Sequence, residues 1–266
     1  MKKAILVSAI LAGAFLAVGC GAQDEAGNIT VVGSTSVSPL MEIVAEKYTD
    51  SVLDIQSVGS SAGIKAAAEG TAMVGMSSRE LKDDEKSGLE EVVIALDGIA
   101  ITVHPNNSVK DITKEQVLKV YKGEITNWKE LGGKDAPIVV VSREEGSGTR
   151  GAFEELVGLE DEAGSLLTKD AVIADGNGAV KQNVATKENA IGYLSLGAVD
   201  NTVKSIKVDG VDATEANIKN GSYKISRPFI LVTKGKPSEG VQKLLDYILS
   251  AEGQKIVTEE GYITIN

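Results

Sequence analysis

Three stretches of the chain place small, hydroxyl-bearing residues directly ahead of a helical pattern. They are Gly33-Ser34-Thr35-Ser36-Val37-Ser38-Pro39, Gly59-Ser60-Ser61-Ala62-Gly63 and Arg143-Glu144-Glu145-Gly146-Ser147-Gly148-Thr149. At each helix start, unpaired backbone N–H groups and the positive end of the helix dipole face outward. One such loop is ordinary turn and capping chemistry. Three of them, one carrying an arginine, restrict the chain to folds that gather three strand-to-helix junctions around a point. They also point to a ligand that accepts hydrogen bonds on every side, an oxyanion.

The pattern around these loops alternates strand and helix. A β-branched run over 29–32 leads into the first loop and a helical spacing over 40–48, with Pro39 in the first turn, where proline is tolerated. A strand over 54–58 precedes the second loop and an Ala-rich helix over 64–69, with Gly70 as its C′ residue. A third strand over 73–76 ends at Ser77-Ser78-Arg79. This βαβαβ order predicts a parallel sheet with ligands at the carboxyl ends of its strands, where the polar loops lie. A strand over 92–96, continuing through 99–103 to His104-Pro105, reads as a crossing into a second α/β unit. That unit has a helix over 114–121, a turn at Trp128, a strand over 138–141, the third loop and a helix over 150–157. Later strands are predicted at 171–173, 191–194 and 205–208. The run over 227–232 reads as the return crossing, and helices over 241–249 and 253–258 close the chain. The predicted fold is α/β and two-lobed, with two crossing segments and a ligand cleft between the lobes. Lobe 1 is 29–103 with 228–266, and lobe 2 is 104–227.

Residues 1–19 read as a lipoprotein signal peptide, with Lys2 and Lys3 ahead of an apolar segment from Ala4 to Val18. Ala17-Val18-Gly19-Cys20 looks like a lipobox, which makes Cys20, the only cysteine, the expected lipidation site. The acidic, Gly-containing stretch 20–28 reads as a tether between membrane and domain. Without Lys2 and Lys3, the 27 Lys and Arg residues fall to 25 against 38 Asp and Glu, a net charge of −13. Such a chain offers no basic patch for nucleic acid. It can still hold an anion locally, because its long-range field is screened over about 8 Å at physiological salt.

A tetrahedral oxyanion needs a shell made mostly of donors. Helix-start N–H groups supply them without a mobile charge, Ser and Thr hydroxyls rotate to donate, and Arg143 adds a rigid fork. The chain resembles the phosphate-binding lipoproteins of bacterial phosphate ABC importers, within the class II periplasmic-type substrate-binding proteins. The segment Arg143-Glu144-Glu145-Gly146-Ser147-Gly148-Thr149-Arg150 carries the resemblance most specifically. Gly123-Glu124-Ile125-Thr126-Asn127-Trp128, the segment from Ala190 to Gly197, and Arg227-Pro228-Phe229 add to it. The resemblance implies a periplasmic-binding-protein-like fold and phosphate ligands from Thr35, Ser36, Ser60, Arg143, Ser147, Gly148 and Thr149. Much of the family has an aspartate after the third strand that accepts the proton of hydrogen phosphate; the matching residue here is Ser78. The resemblance further implies an ABC permease as partner, a lipid-anchored location outside the cell membrane at a Gram-positive surface, a monomer, and neither enzyme activity nor a cofactor.

Other readings fit parts of the chain. Another tetrahedral oxyanion, such as sulfate, molybdate or tungstate, suits the same donors. Gly59-Ser60-Ser61-Ala62-Gly63 also matches the nucleophile elbow of hydrolases. A secreted phosphomonoesterase would then need Ser61, Asp97 and His104 as a triad, although hydrolases of this type place the acid well downstream of the serine. One histidine and no spaced carboxylate set leave no metal site. Asp83-Asp84-Glu85 reads as a solvated helix start and Trp128 as packing. Arg79 and Arg150 either line the cleft or pair with surface acids.

Overall fold

The computed structural model describes residues 27–265; Cys20, the leader and the start of the tether lie outside them. The first unit is β1 (Asn28–Gly33), α1 (Ser38–Lys47), β2 (Val52–Ser57), α2 (Ser60–Glu69) and β3 (Val74–Ser77). β1 pairs in parallel with both β2 and β3, as the βαβαβ pattern demands. The chain then runs through β4 (Leu89–Val103), α3 (Lys114–Lys122), β5 (Val139–Arg143) and α4 (Gly148–Val157). It continues through β6 (Val172–Ala174), α5 (Gly176–Thr186), β7 (Ala190–Ser195) and β8 (Ser226–Lys234), and closes with α6 (Glu239–Leu249) and α7 (Ala251–Glu259). One mixed sheet has the order β2-β1-β3-β8-β4-β7-β5-β6.

Four apolar clusters fill the described residues, and the two largest lie on different stretches of the sheet. Ile29, Val31, Leu40, Met76, Ile94, Phe229 and Leu245 belong to one, and Ile99, Ile101, Tyr121, Phe153, Ile191 and Tyr193 to the other. β4 and β8 are antiparallel partners; β4 runs through both cores, and β8 enters the first just after Ile225 leaves the second. Core membership changes between Ala95 and Ile99 on β4, ahead of the sequence-based boundary at His104-Pro105. The reason is that β4 is a single strand of 15 residues. Proline ends its hydrogen-bond ladder at 104, but the side chains change cores near the middle of the strand. On the return path the change falls between Ile225 and Phe229.

Helices α2 and α4 begin earlier than their apolar spacing suggests, at Ser60 and Gly148 rather than near 64 and 150. Gly and Ser are poor helix-interior residues, but a first turn has no intrahelical partner for its N–H groups and tolerates them. Ser60 to Gly63 of the second loop and Gly148 and Thr149 of the third are therefore helical, and their N–H groups belong to helix starts. Helix α5, absent from the sequence reading, opens on Gly176-Asn177-Gly178 and buries Val180 and Val184 one turn apart. Asp83-Asp84-Glu85 forms turns instead of a helix start, and Glu85 is drawn to Arg79.

Small residues let α2 lie directly on the sheet. A Cβ at Gly63 would stand 2.4 Å from the Val32 carbonyl oxygen, and one at Gly75 would stand 2.5 Å from the Gly63 oxygen. Both obstacles are backbone, so the contact cannot relax by a rotamer change. Gly63→Ala should lower stability by about 1–3 kcal/mol, the usual penalty for overpacking. A urea midpoint equal to that of the parent protein would contradict this account of the helix–sheet contact.

Candidate functional site

The three loops meet between the lobes. The first leaves β1 and turns on Ser34, whose Oγ accepts the N–H groups of Ser36 and Val37 at 3.1 and 3.4 Å. Neither α1 nor α2 has a side-chain N-cap, whereas Ser147 caps α4 by accepting from the Arg150 N–H at 3.2 Å. Hydrogen bonds then cross the cleft. Ser36 Oγ lies 2.8 Å from Thr149 Oγ1, Arg143 Nη2 donates to Thr35 Oγ1 at 2.9 Å, and the Ser61 N–H donates to the Gly146 carbonyl at 3.1 Å. Gly148 sits against the opposite lobe so closely that a Cβ there would be 2.1 Å from Ser60 Oγ and 2.7 Å from Ser78 Oγ. Thr35, Ser36, Ser60, Ser78, Arg143, Ser147, Gly148 and Thr149 thus occupy one place. All are buried except Thr35, which is partly exposed.

The Arg143 guanidinium is 1% exposed. Glu144 holds its edge, with Nε to Oε2 at 2.8 Å and Nη2 to Oε1 at 2.7 Å. Nη1 donates to Asn177 Oδ1 at 3.4 Å. The fork is therefore half engaged by its own carboxylate, and Nη1 keeps donor capacity for a ligand. Tyr193 steadies the start of this loop: its hydroxyl accepts from the Arg143 N–H at 3.2 Å and lies 2.8 Å from Ser142 Oγ. Burial pushes that phenol up to about 12, which keeps it neutral. Its ring stacks on Phe153 of α4 at 4.0 Å between centroids.

Four residues of the site were missed from sequence. Arg227 on β8 faces Asp97 on β4 in register. Both are buried, and Nε and Nη2 donate to Asp97 Oδ2 at 3.2 and 2.9 Å. The same guanidinium reaches the cleft: Nη1 donates to the Ser78 carbonyl and Oγ at 2.9 and 3.3 Å, and Nη2 to Ser36 Oγ at 3.1 Å. Asn177, at the start of α5, donates from Nδ2 to Ser36 Oγ at 2.9 Å. Ser34 Oγ donates to Ser78 Oγ at 2.8 Å. A signal existed for the ion pair. Arg227 and Asp97 each interrupt an otherwise apolar run, which indicates a buried, paired charge.

The hydrolase triad is not assembled. Ser61 Oγ accepts from Arg79 at 3.1 Å, Asp97 is held by Arg227, and His104 Nδ1 accepts the Asn106 N–H. Arg79 and Arg150 do both things considered for them. They pair with Glu85 and Glu154, and they line, with Ser61, Lys82 and Glu145, a cavity of about 550 Å³ at the cleft edge. Trp128 is packed, with its Nε1 donating to the Asn189 carbonyl. Among the described residues, no group of three or more His, Cys, Asp or Glu side chains is gathered to hold a metal ion.

Residues 20–252 match the model of the PBP superfamily domain. The phosphate-binding protein PstS of Bacillus subtilis is 34% identical over all of this chain and 95% of its own length. Among solved structures, a Clostridium perfringens substrate-binding protein assigned to a phosphate ABC transporter, with bound phosphate, is 52% identical. It covers 90% of this chain and 100% of its own, with a TM-score of 0.87. An ABC-type phosphate transport receptor from Vibrio cholerae is 38% identical, covers 89% and 99%, and has a TM-score of 0.77. The fold and its cleft are those of the two-lobed periplasmic binding proteins. Within that class the chain belongs to the family of the PstS phosphate-binding proteins.

Glu144 gives the site a pH signature. Burial works to raise its carboxyl, but the hydrogen bond and charge of Arg143 outweigh it and hold it below its ordinary value of 4.5. The stability this contributes is complete above about that value and is lost as pH falls through the lower folded-state value. Glu144→Gln should therefore flatten the acid limb of the stability–pH curve while leaving its shape near neutrality unchanged. Urea unfolding at stepped acid pH measures this, and parallel curves for parent and variant would refute it.

Proposed function

We propose that the protein captures inorganic phosphate outside the cytoplasm and delivers it to the membrane subunits of an ABC-type importer. The observation that carries this reading is the convergence, from both lobes, of three helix starts, six hydroxyls and a buried arginine on one point. That shell suits an ion with acceptor oxygens on all sides. Relatives named for phosphate binding, one of them solved with phosphate, support the choice of ion.

In this reading Thr35, Ser36, Ser60 and Ser78 bind from the first lobe. Arg143, Ser147, Gly148 and Thr149 bind from the second. The lobes open and close about the paired crossings at Asp97 and Arg227, where β4 and β8 lie side by side. No bond of the ligand is made or broken, so the protein is a receptor and not an enzyme, and ATP hydrolysis belongs to the importer. Cys20 carries the lipid that holds this monomer at the outer face of the membrane, the rest of the leader having been removed.

Calorimetry with phosphate on protein stripped of ligand tests the reading directly. Binding at micromolar or lower concentration is expected, and silence toward phosphate with binding of sulfate or molybdate would transfer the site to that ion. Arg143→Ala removes charge-assisted hydrogen bonds worth about 1.5–3 kcal/mol each, so phosphate affinity should fall at least tenfold. Gly148→Ala puts a methyl group into the Ser60 and Ser78 hydroxyls and should weaken phosphate at least as much by opposing closure. Parent-like affinity in Gly148→Ala would show that the closed contact between α4 and the opposite lobe is not the binding state.

A further inference from the structure

The hydroxyls in the cleft have been assigned directions by their neighbours. A serine oxygen offers one hydrogen and two lone pairs. Ser78 Oγ receives a hydrogen from Ser34 Oγ at 2.8 Å and another from Arg227 Nη1 at 3.3 Å. Ser34 has no choice in the matter, because its own oxygen already faces the N–H groups of Ser36 and Val37. Ser36 Oγ receives one hydrogen from Arg227 Nη2 at 3.1 Å and one from Asn177 Nδ2 at 2.9 Å. The Asn177 amide is oriented with its Oδ1 toward the Arg143 Nη1 and Ser195 N–H donors. Both hydroxyls therefore have their lone pairs filled from behind and only a hydrogen to give, which in this structure faces Thr149 Oγ1 at 2.8 Å from Ser36 and Ser60 Oγ at 3.4 Å from Ser78.

The carboxylates nearby are occupied as well. Asp97 accepts from Arg227 and from the Leu196 N–H at 3.1 Å, and Glu144 accepts from Arg143 and the Gly176 N–H. The charged or titratable groups that face Arg227 are Asp97 from β4, Arg143 from β5 and Tyr262 beyond α7. Asp97 is turned to Arg227 and Leu196, Arg143 can only donate, and Tyr262 directs its hydrogen to the Ser36 carbonyl at 3.4 Å.

We propose, on the reading of this cleft as a phosphate site, that Arg227 is a specificity-setting positioning residue. By saturating Ser36 and Ser78 it makes them obligatory donors, so the cleft selects the least protonated tetrahedral oxyanion. A proton on the ligand would oppose a donor hydrogen at either position. Dihydrogen phosphate is disfavoured, the dianion is taken, and sulfate, which carries no proton near neutrality, is not turned away at Ser78.

The test is calorimetry of phosphate and sulfate at about pH 6 and pH 8 on the parent protein and on Ser34→Ala and Arg227→Lys. For the parent protein, phosphate should bind about tenfold more tightly at the higher pH, following its second ionisation. Sulfate should bind with an affinity that pH leaves unchanged and should compete with phosphate. Ser34→Ala frees a lone pair on Ser78 without touching the Arg227–Asp97 pair, so it stays informative if the arginine variant fails to fold. It should shrink the phosphate pH ratio several-fold and weaken sulfate relative to phosphate. A merely structural role would lower both affinities together and leave the ratios unchanged. Equal phosphate affinity at both pH values in the parent, or an unchanged ratio in Ser34→Ala, overturns the proposal. Sulfate binding with no phosphate binding at either pH would support the all-donor shell while overturning the phosphate reading. Binding of neither ion overturns both.

Discussion

The ion pair between Arg227 and Asp97 is the interaction on which the cleft depends. It lies where the two crossing strands are adjacent, with both side chains almost fully removed from solvent. Taking two charges out of water costs several kcal/mol per ion and is repaid only with close geometry and further hydrogen bonds. Here every direction is used. Asp97 takes two guanidinium donors and a backbone N–H, and the remaining edge of Arg227 reaches Ser36 and Ser78. The pair thus joins the crossings to each other and to the first lobe's binding loops.

The same pairing recurs around the cleft. Arg143 is matched with Glu144, Arg79 with Glu85 and Arg150 with Glu154. Each buried or half-buried arginine therefore arrives with a carboxylate, and the site holds little uncompensated positive charge. On the proposed reading, an anion in it is stabilised by N–H dipoles at helix starts, by oriented hydroxyls and by the Arg143 hydrogens not taken by Glu144. That arrangement fits a strongly acidic protein that must bind an anion and also release it. Local dipoles act over a few ångströms, while the surface field of the acidic chain is screened over a similar distance.

Much of the architecture was legible in the sequence because its causes are local. β-branched runs, apolar spacing and glycine caps marked most of the strands and helices, and the loops at their junctions are the ones the fold brings together. Helix α5 escaped because Gly176 and Gly178 at its start mask a short apolar face carried only by Val180 and Val184. On β4 the change of core near Asp97 has no mark in the sequence, because a proline shows where a hydrogen-bond ladder ends and not which core a side chain enters. Asn177 was missed with its helix. Arg227 was visible as part of a motif but had no visible role, because its partner Asp97 lies 130 positions away.

The sequence by itself determined that three donor-rich strand-to-helix loops exist and that an arginine stands in one of them, which is enough to name the class of ligand. Only the tertiary structure decided which of those donors have their direction imposed. A hydroxyl is donor and acceptor alike until its lone pairs are filled. The groups that fill them on Ser36 and Ser78 come from β8, α5 and the turn after β1, segments that meet only when the two lobes fold onto the shared sheet.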